Sequence, residues 1–247
     1  MTQLLISVKN VVEALVALEV GVDFIDLKDP SAGALGSLSV HETSQIVQAI
    51  KERKTTELIK SNFMLISSTV GDQHIDLNSL ISDILAKYVL GVDIIKIAVS
   101  RLFYTEDFSS KMQPLMRGGI KLIAVFFADE PIDLALLVTV KKIGFFGAML
   151  DTKTKQKNLL QVQTTKNLQM FTQICHENDL QSGLAGSLQT QHIENLIQLN
   201  PIYMGFRGGA CESFSRENDL CRAKMIQIKE LLHLHNKTNA ESQANKL

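Results

Sequence analysis

Short runs of apolar residues alternate along the chain with longer segments in which apolar side chains recur every three or four positions. The short runs are typical of buried strands, and the longer period is that of amphipathic helices. The predicted strands span 4–8, 24–29, 64–71, 93–100, 121–129, 147–152, 181–186 and 203–209. One predicted helix is capped by Asn10 and ends at Gly21, and the others span 39–53, 78–90, 105–116, 132–142, 164–178, 189–199 and 215–235.

Eight strands that alternate with eight helices predict a parallel sheet with helical crossovers. In a chain of 247 residues, this number of units favours a closed (β/α)8 barrel, the TIM barrel, over an open doubly wound sheet. We therefore predict an α/β protein with one catalytic domain over residues 1–235. Residues 236–247 are polar and lack periodicity, which predicts a flexible tail.

A weak internal repeat supports the barrel. Three segments share a helix end, a glycine and a buried strand: LEVGVDFIDLKD, YVLGVDIIKIAV and KKIGFFGAMLDT, which contain the second, fourth and sixth strands. Alternate strands of a barrel contribute side chains to the same interior layer. Asp26, Lys28, Lys96 and Asp151 are therefore expected to converge on one site at the C-terminal ends of the strands.

The charges of the second strand, in the stretch DFIDLKDPSAGALG, are the strongest chemical signal. Asp26 and Lys28 are two residues apart and face the same side of an apolar strand, where burying charge is costly. An amine in apolar surroundings beside other cations loses its proton more readily and can attack an aldehyde or ketone to form a Schiff base. Asp26 and Asp151 would then carry protons, although such pairs also form purely structural salt bridges.

Two short loops predict phosphate binding. In many barrels the loops after strands seven and eight hold a phosphate with backbone N–H groups. Here these loops contain Gly186 and Ser187, and then Arg207, Gly208 and Gly209. The small residues allow close approach of the backbone, and the arginine adds charge.

Composition restricts the remaining classes of partner and cofactor. The net charge of -1 gives no reason to expect nucleic acid or an acidic membrane surface, and the apolar runs are too short to span a bilayer. Three scattered cysteines and the lack of a leader-like N-terminus favour a reducing cytoplasm. The histidines lack ligand spacing, Cys211 is expected to be a buried inert thiol, and no GxGxxG follows a strand, so neither a metal nor a dinucleotide cofactor is expected.

As an ordered set, DFIDLKDPSAGALG, STVGD, DIIKIAV, MLDT, GLAGSL and GFRGGAC resemble the (5-formylfuran-3-yl)methyl phosphate synthases over nearly the whole chain. The resemblance implies a (β/α)8 barrel without a metal or cofactor that acts as a lyase on phosphates. It implies that two molecules of glyceraldehyde 3-phosphate, a phosphorylated aldehyde, are joined with loss of phosphate and water. The furan product supplies methanofuran-type C1 carriers.

The resemblance also implies individual roles. Lys28 matches the Schiff-base lysine with Asp26 as its neighbour, Lys96 matches the lysine of strand four, and Asp151 with Lys155 matches a pair that isomerises a triose phosphate. Two segments depart from the family pattern. The loop after Asp151 is unusually rich in lysine, so that Lys153 or Lys157 could replace Lys155, and the bulky Phe126 and Phe127 could alter the pocket.

Two other functions are compatible with these residues. A triose-phosphate aldolase or isomerase could use the same lysines and would release an open-chain sugar phosphate. A non-catalytic sensor would bind triose phosphate without turnover. Barrel enzymes often associate, so a homo-oligomer is compatible with the predicted fold.

Overall fold

Eight parallel strands close into a barrel in the order of the chain, as predicted, with β1 paired to both β2 and β8. The structure is a computed structural model that describes residues 1–56 and 64–244. The strands are β1 Gln3–Val8, β2 Phe24–Leu27, β3 Leu65–Thr69, β4 Ile94–Ala98, β5 Lys121–Phe127, β6 Gly147–Asp151, β7 Gln181–Leu184 and β8 Tyr203–Phe206. All the strands except β1 end earlier than predicted, so several predicted site residues lie at the start of loops.

Helices cover the outside of the barrel in the described part of the chain. They are α1 Val11–Val20, α2 Val40–Thr56, α3 Leu77–Val89, α4 Phe108–Arg117, α5 Leu136–Ile143, α6 Leu159–Val162, α7 Thr165–Glu177, α8 Ile193–Ile197 and α9 Arg222–Ala244. The short α6 was not predicted, and the predicted seventh helix is a 3-10 turn followed by α8. None of the described helices is long and apolar enough to cross a membrane.

The last helix differs most from its prediction. It begins at Arg222 rather than Ser215, because Ser213 and Phe214 adopt left-handed backbone and an antiparallel bridge folds the following residues back. It continues to Ala244, beyond the predicted end at residue 235. The Asn236 side chain, at the start of the predicted tail, donates to the Thr2 carbonyl and accepts from its N–H. Residues 245–247 of the predicted tail lie outside the described residues.

The internal repeat has a structural cause. Gly21, Gly91 and Gly144 all follow a helix and have positive φ of 73°, 91° and 109°, a conformation that favours glycine. In the first two copies an aspartate two residues later, Asp23 or Asp93, accepts a hydrogen bond from a backbone N–H of the preceding strand, at 2.8 and 2.7 Å. The repeat therefore marks the turns that return the chain from helix to barrel.

The interior of the barrel is apolar at the N-terminal ends of the strands and polar towards their C-terminal ends. At the floor, the rings of Phe24 and Tyr203 lie 5.2 Å apart. Gly183 leaves room for the tyrosine, because an added Cβ there would lie 2.2 Å from its ring. Side chains alternate along β2, so Asp26 and then Lys28 stand above Phe24 on the same inner face. The site is thus built on a closed floor.

A buried lysine connects two helices on the outer layer. Lys87 of α3 is 3% exposed and donates hydrogen bonds to the Leu38 carbonyl and to Thr43 Oγ1, at 2.5 and 2.8 Å. Burial lowers its pKa from 10.5 to about 8, although Asp83 and Glu42 oppose the shift. The folded protein therefore binds fewer protons than the unfolded chain between these two values.

Stability should consequently rise with pH in that window. Between pH 8 and 10.5, we expect the free energy of unfolding of the wild type to increase relative to Lys87→Met by on the order of 2 kcal/mol. Urea unfolding of both proteins across this range measures the difference, with the exposed Lys166→Met as a control that shows no such trend. Parallel curves for wild type and Lys87→Met would contradict the prediction.

Candidate active site

A cavity of about 350 Å³ opens at the C-terminal ends of the strands. The ten residues predicted for catalysis and phosphate binding all line it: Asp26, Lys28, Lys96, Asp151, Lys155, Gly186, Ser187, Arg207, Gly208 and Gly209. They come from the ends of five different strands, which the barrel brings together. The predicted convergence is therefore seen in the structure, and the contacts between these groups define what each can do.

The deepest charged pair joins strands β2 and β4. Lys96 Nζ lies 2.6 Å from a carboxylate oxygen of Asp26, and the two residues are 2% and 0% exposed. The hydroxyls of Ser7 and Ser67, on the strands flanking β2, donate to the two oxygens of Asp26 at 2.9 and 2.8 Å. Burial lowers the pKa of Lys96, and Asp26 opposes this. Sequence reasoning did not identify the two serines.

A second cluster lies closer to the mouth of the cavity. Asp151 accepts hydrogen bonds from Lys28 Nζ at 3.1 Å and from Lys155 Nζ at 2.7 Å, one at each oxygen. Burial alone would raise the pKa of Asp151, but Lys155 and Lys28 outweigh it and hold the pKa well below its usual range. Burial lowers the pKa of Lys155 to about 8, against the attraction of Asp151. One carboxylate thus serves two amines.

The lysine-rich loop after β6 gives its three lysines different positions. Lys155 contacts Asp151, whereas the exposed Lys153 pairs with Glu130 at 2.6 Å. Asp129 holds the loop by accepting from two of its backbone N–H groups, at 2.6 and 2.8 Å. Lys157 lies on the cavity wall. Of these three lysines, Lys155 is the one that contacts Asp151.

The two phenylalanines of β5 face opposite sides of the sheet. Phe126 points outward and packs edge-on against Phe171 of α7, with ring centroids 6.1 Å apart. Phe127 points inward, and Lys153 Nζ lies 5.4 Å from its ring centroid. Neither phenylalanine is among the described residues that line the cavity. The suggestion that they alter the pocket is not supported by their positions.

The two glycine loops lie against each other at one side of the cavity. Gly186 and Ser187 have positive φ of 113° and 49°. Gly209 packs directly on the first loop, because an added Cβ would lie 2.2 Å from the Leu188 carbonyl oxygen. The small residues of both loops let a ligand approach the backbone closely, and backbone N–H groups at such turns suit an anion.

Arg207 was predicted to contact phosphate, but its guanidinium already has protein partners. It forms a forked ion pair with Glu13 of α1, at 2.5 and 3.1 Å. Its other N–H groups donate to the backbone carbonyls of Ser7, Arg216 and Asn218, at 3.1, 2.8 and 2.9 Å. Glu13 is itself 3% exposed. Arg207 therefore connects β8 and α1 to the loop before α9.

That loop brings a second arginine to the cavity, which sequence reasoning missed. Arg216 lines the cavity and donates to the Gly33 carbonyl at 2.9 Å, across the mouth from its own loop. Burial lowers its pKa, while Asp151 opposes the shift. Its position in the loop after strand eight could have identified Arg216 as a candidate. The prediction instead placed it in a helix that started at Ser215.

The other polar candidates have ordinary structural environments. His192 accepts from the Gln189 backbone N–H at 3.0 Å and caps its own turn, although it also reaches the cavity wall. Cys211 is buried, and burial raises the pKa of its thiol to about 11, which fits an inert thiol. Among the described residues, no group of His, Cys, Asp and Glu side chains could hold a metal ion.

Comparisons with known proteins agree on one family. The family model described as 4-HFC-P synthase matches residues 4–229. A protein of Methylorubrum extorquens, provisionally named a (5-formylfuran-3-yl)methyl phosphate synthase, is 34% identical over 93% of this chain and 91% of its own length. The (5-formylfuran-3-yl)methyl phosphate synthase of Archaeoglobus fulgidus is 28% identical over 94% of this chain and 99% of its own length.

The fold has counterparts among solved structures. The crystal structure of 3-hexulose-6-phosphate synthase from Salmonella typhimurium superimposes with a TM-score of 0.61, at 15% sequence identity, and covers 95% of this chain and 100% of that one. At this identity the likeness concerns the barrel alone.

Proposed function

The chain belongs to the 4-HFC-P synthase family, and we propose that it condenses two molecules of glyceraldehyde 3-phosphate into (5-formylfuran-3-yl)methyl phosphate through a Schiff base on Lys28. Phosphate and water are lost, which makes the enzyme a lyase acting on phosphates. The product would serve a methanofuran-type carrier. The observation that carries the proposal is the cluster of Lys28, Asp151 and Lys155 on the wall of a cavity that the two glycine loops also line.

Lys28 is the amine best placed to react with an aldehyde. It lies nearer the mouth of the cavity than the more deeply buried pair of Lys96 and Asp26, so a substrate reaches it first. Its neutral form attacks the aldehyde carbon, and the carbonyl oxygen leaves as water to give an iminium ion. The carboxylate of Asp151, 3.1 Å from Lys28 Nζ, stays ionised at all working pH values and stabilises this cation.

The iminium ion makes the next steps accessible. It acidifies the proton on the neighbouring carbon, and loss of that proton gives an enamine. The enamine electrons then expel the phosphate from the third carbon, which leaves an iminium ion that carries an enol. The third carbon of this enol attacks the ketone carbon of a second triose phosphate in its dihydroxyacetone form. Loss of two water molecules closes the furan ring, and hydrolysis of the iminium ion releases the aldehyde and frees Lys28. Acid–base groups with a pKa near neutrality suit these proton transfers, and the pKa of Lys155 is about 8.

A product assay tests the proposal. Glyceraldehyde 3-phosphate alone is expected to yield a furan with strong ultraviolet absorbance, together with inorganic phosphate. An open-chain sugar phosphate would instead identify an aldolase, and dihydroxyacetone phosphate alone an isomerase. Saturable binding without any turnover would identify a sensor, and any of these three results would overturn the proposal.

The lysine of the isomerising pair can be tested separately. We expect Lys155→Gln to lower the interconversion of triose phosphates by about 100-fold or more, because general acid–base groups contribute at least that much. Proton NMR of the substrate in D2O measures the interconversion. Lys153→Gln is the matched control, because Lys153 lies two residues away and pairs with Glu130 outside the cavity. A comparable loss in Lys157→Gln but not in Lys155→Gln would reverse the assignment.

A further inference from the structure

Most charges around the cavity are matched by a partner. Lys96 pairs with Asp26, and Arg207 pairs with Glu13. Arg216 differs, because the only hydrogen bond of its guanidinium within the described residues is to the neutral carbonyl of Gly33. A phosphate dianion binds a guanidinium more strongly than a carbonyl does, so a ligand phosphate can replace this contact.

Arg216 also lies beside the glycine loop that contains Gly208. A Cβ added to Gly208 would lie 3.8 Å from the Cβ of Arg216 and 3.7 Å from its backbone nitrogen. Arg216 and the two glycine loops line the same cavity. The site therefore combines a planar guanidinium with N–H groups at the turns of Gly186 and Gly208, which is the composition of a phosphate site.

Arg207 fixes the loop that carries Arg216. The guanidinium of Arg207 is occupied by protein partners, because it donates hydrogen bonds to the carbonyls of Arg216 and Asn218. The same group is anchored from behind by Glu13 and by the Ser7 carbonyl. The backbone on both sides of residue 217 is thus held to the barrel wall.

We infer that Arg216 binds the phosphate group of the triose phosphate and that Arg207 is a positioning residue, which acts by holding the backbone of Arg216. This inference rests on the proposed function for the identity of the ligand. Phosphate binding after strand eight would therefore depend on two arginines with different roles. Arg216 touches the ligand, and Arg207 touches only protein.

Binding of inorganic phosphate tests the first part without any turnover. Titration calorimetry is expected to show affinity for phosphate that falls about 10- to 100-fold in Arg216→Gln, the range for a lost charge-assisted contact. The KM for glyceraldehyde 3-phosphate should rise by a similar factor. Arg222→Gln is the matched control, because Arg222 is exposed at the start of α9 and pairs with Glu19. Equal phosphate affinity in Arg216→Gln and wild type would overturn the inference.

A double-mutant cycle tests the positioning role of Arg207. Removing Arg207 alone would leave the buried Glu13 carboxylate with only the more distant amine of Lys9, at 3.9 Å, so Glu13→Gln/Arg207→Gln removes both charges of the forked pair together. We expect this variant to lose phosphate affinity about 10-fold in the wild-type background and to add less than twofold in the Arg216→Gln background. A purely structural role predicts equal losses in both backgrounds, and that result would overturn the assignment of Arg207.

The inference and the proposed function can fail independently. If phosphate affinity depends on Arg216 but no furan forms, the reaction is wrong and the binding site stands. If furan forms but Arg216→Gln retains wild-type phosphate affinity and KM, the reaction stands and the binding site is wrong.

Discussion

Replacement of Lys28 by methionine is expected to abolish formation of the furan phosphate, with a loss on the order of 10³-fold or more. Methionine retains the length and apolar stem of lysine but cannot form a Schiff base. In the wild type, borohydride reduction in the presence of glyceraldehyde 3-phosphate should give a stable adduct on Lys28, located by mass spectrometry of peptides. The variant should give none.

The fold should survive this change, which makes the kinetic result interpretable. Asp151 contacts both Lys28 and Lys155, so loss of one amine leaves its carboxylate paired. We therefore expect the free energy of unfolding to change by no more than about 1–2 kcal/mol. Lys153→Met is the control for lysine removal near the mouth, and it should retain activity because Lys153 pairs with Glu130 outside the cavity.

An adduct on another lysine would contradict the mechanism. Lys96 is the main alternative, because burial lowers its pKa. Its amine is however 2.6 Å from Asp26 and enclosed beneath the mouth, so a substrate would have to displace this pair. A reduced adduct on Lys96, with furan formation intact in Lys28→Met, would transfer the role of nucleophile to Lys96.

The barrel and the convergence of the charged residues followed from local patterns. The periodicity of apolar residues indicates the alternation of strands and helices. The repeated glycines mark turns that require a left-handed backbone conformation. Asp26 and Lys28 are two residues apart, so both side chains face the interior of the barrel. There they contact side chains that come from alternate strands. Such features depend on short stretches of chain, which the sequence displays directly.

Contacts between distant segments could not be predicted in the same way. Arg207 pairs with Glu13, which belongs to the first helix. From the sequence alone, Glu13 resembles any charged residue on the exposed face of a helix. Ser7 and Ser67 reach Asp26 only because the register of three strands aligns them. Arg216 was hidden because residues after Phe214 have helical composition but a backbone folded back on itself. Each case requires tertiary geometry rather than pattern.

The pair of Asp26 and Lys96 leads to the second large prediction. We expect Lys96→Met to destabilise the protein by about 3–5 kcal/mol, because it leaves the Asp26 carboxylate buried without a cation. The hydroxyls of Ser7 and Ser67 still donate to this carboxylate, but they carry no charge to offset it. Lys28→Met provides the comparison for the free energy of unfolding, since in that variant the carboxylate of Asp151 still pairs with Lys155.

The double variant Asp26→Asn/Lys96→Met separates stability from chemistry. Asparagine retains a group that the two serine hydroxyls can bond, and the site then contains no unpaired charge, so most of the lost stability should return. Activity should not return, because the proposed proton transfers need ionisable groups at these positions. Urea unfolding and the furan assay on the wild type, Asp26→Asn, Lys96→Met and the double variant measure both quantities. Additive losses of stability in the double variant would show that the two side chains are not coupled, and recovered activity would show that the pair serves the fold alone.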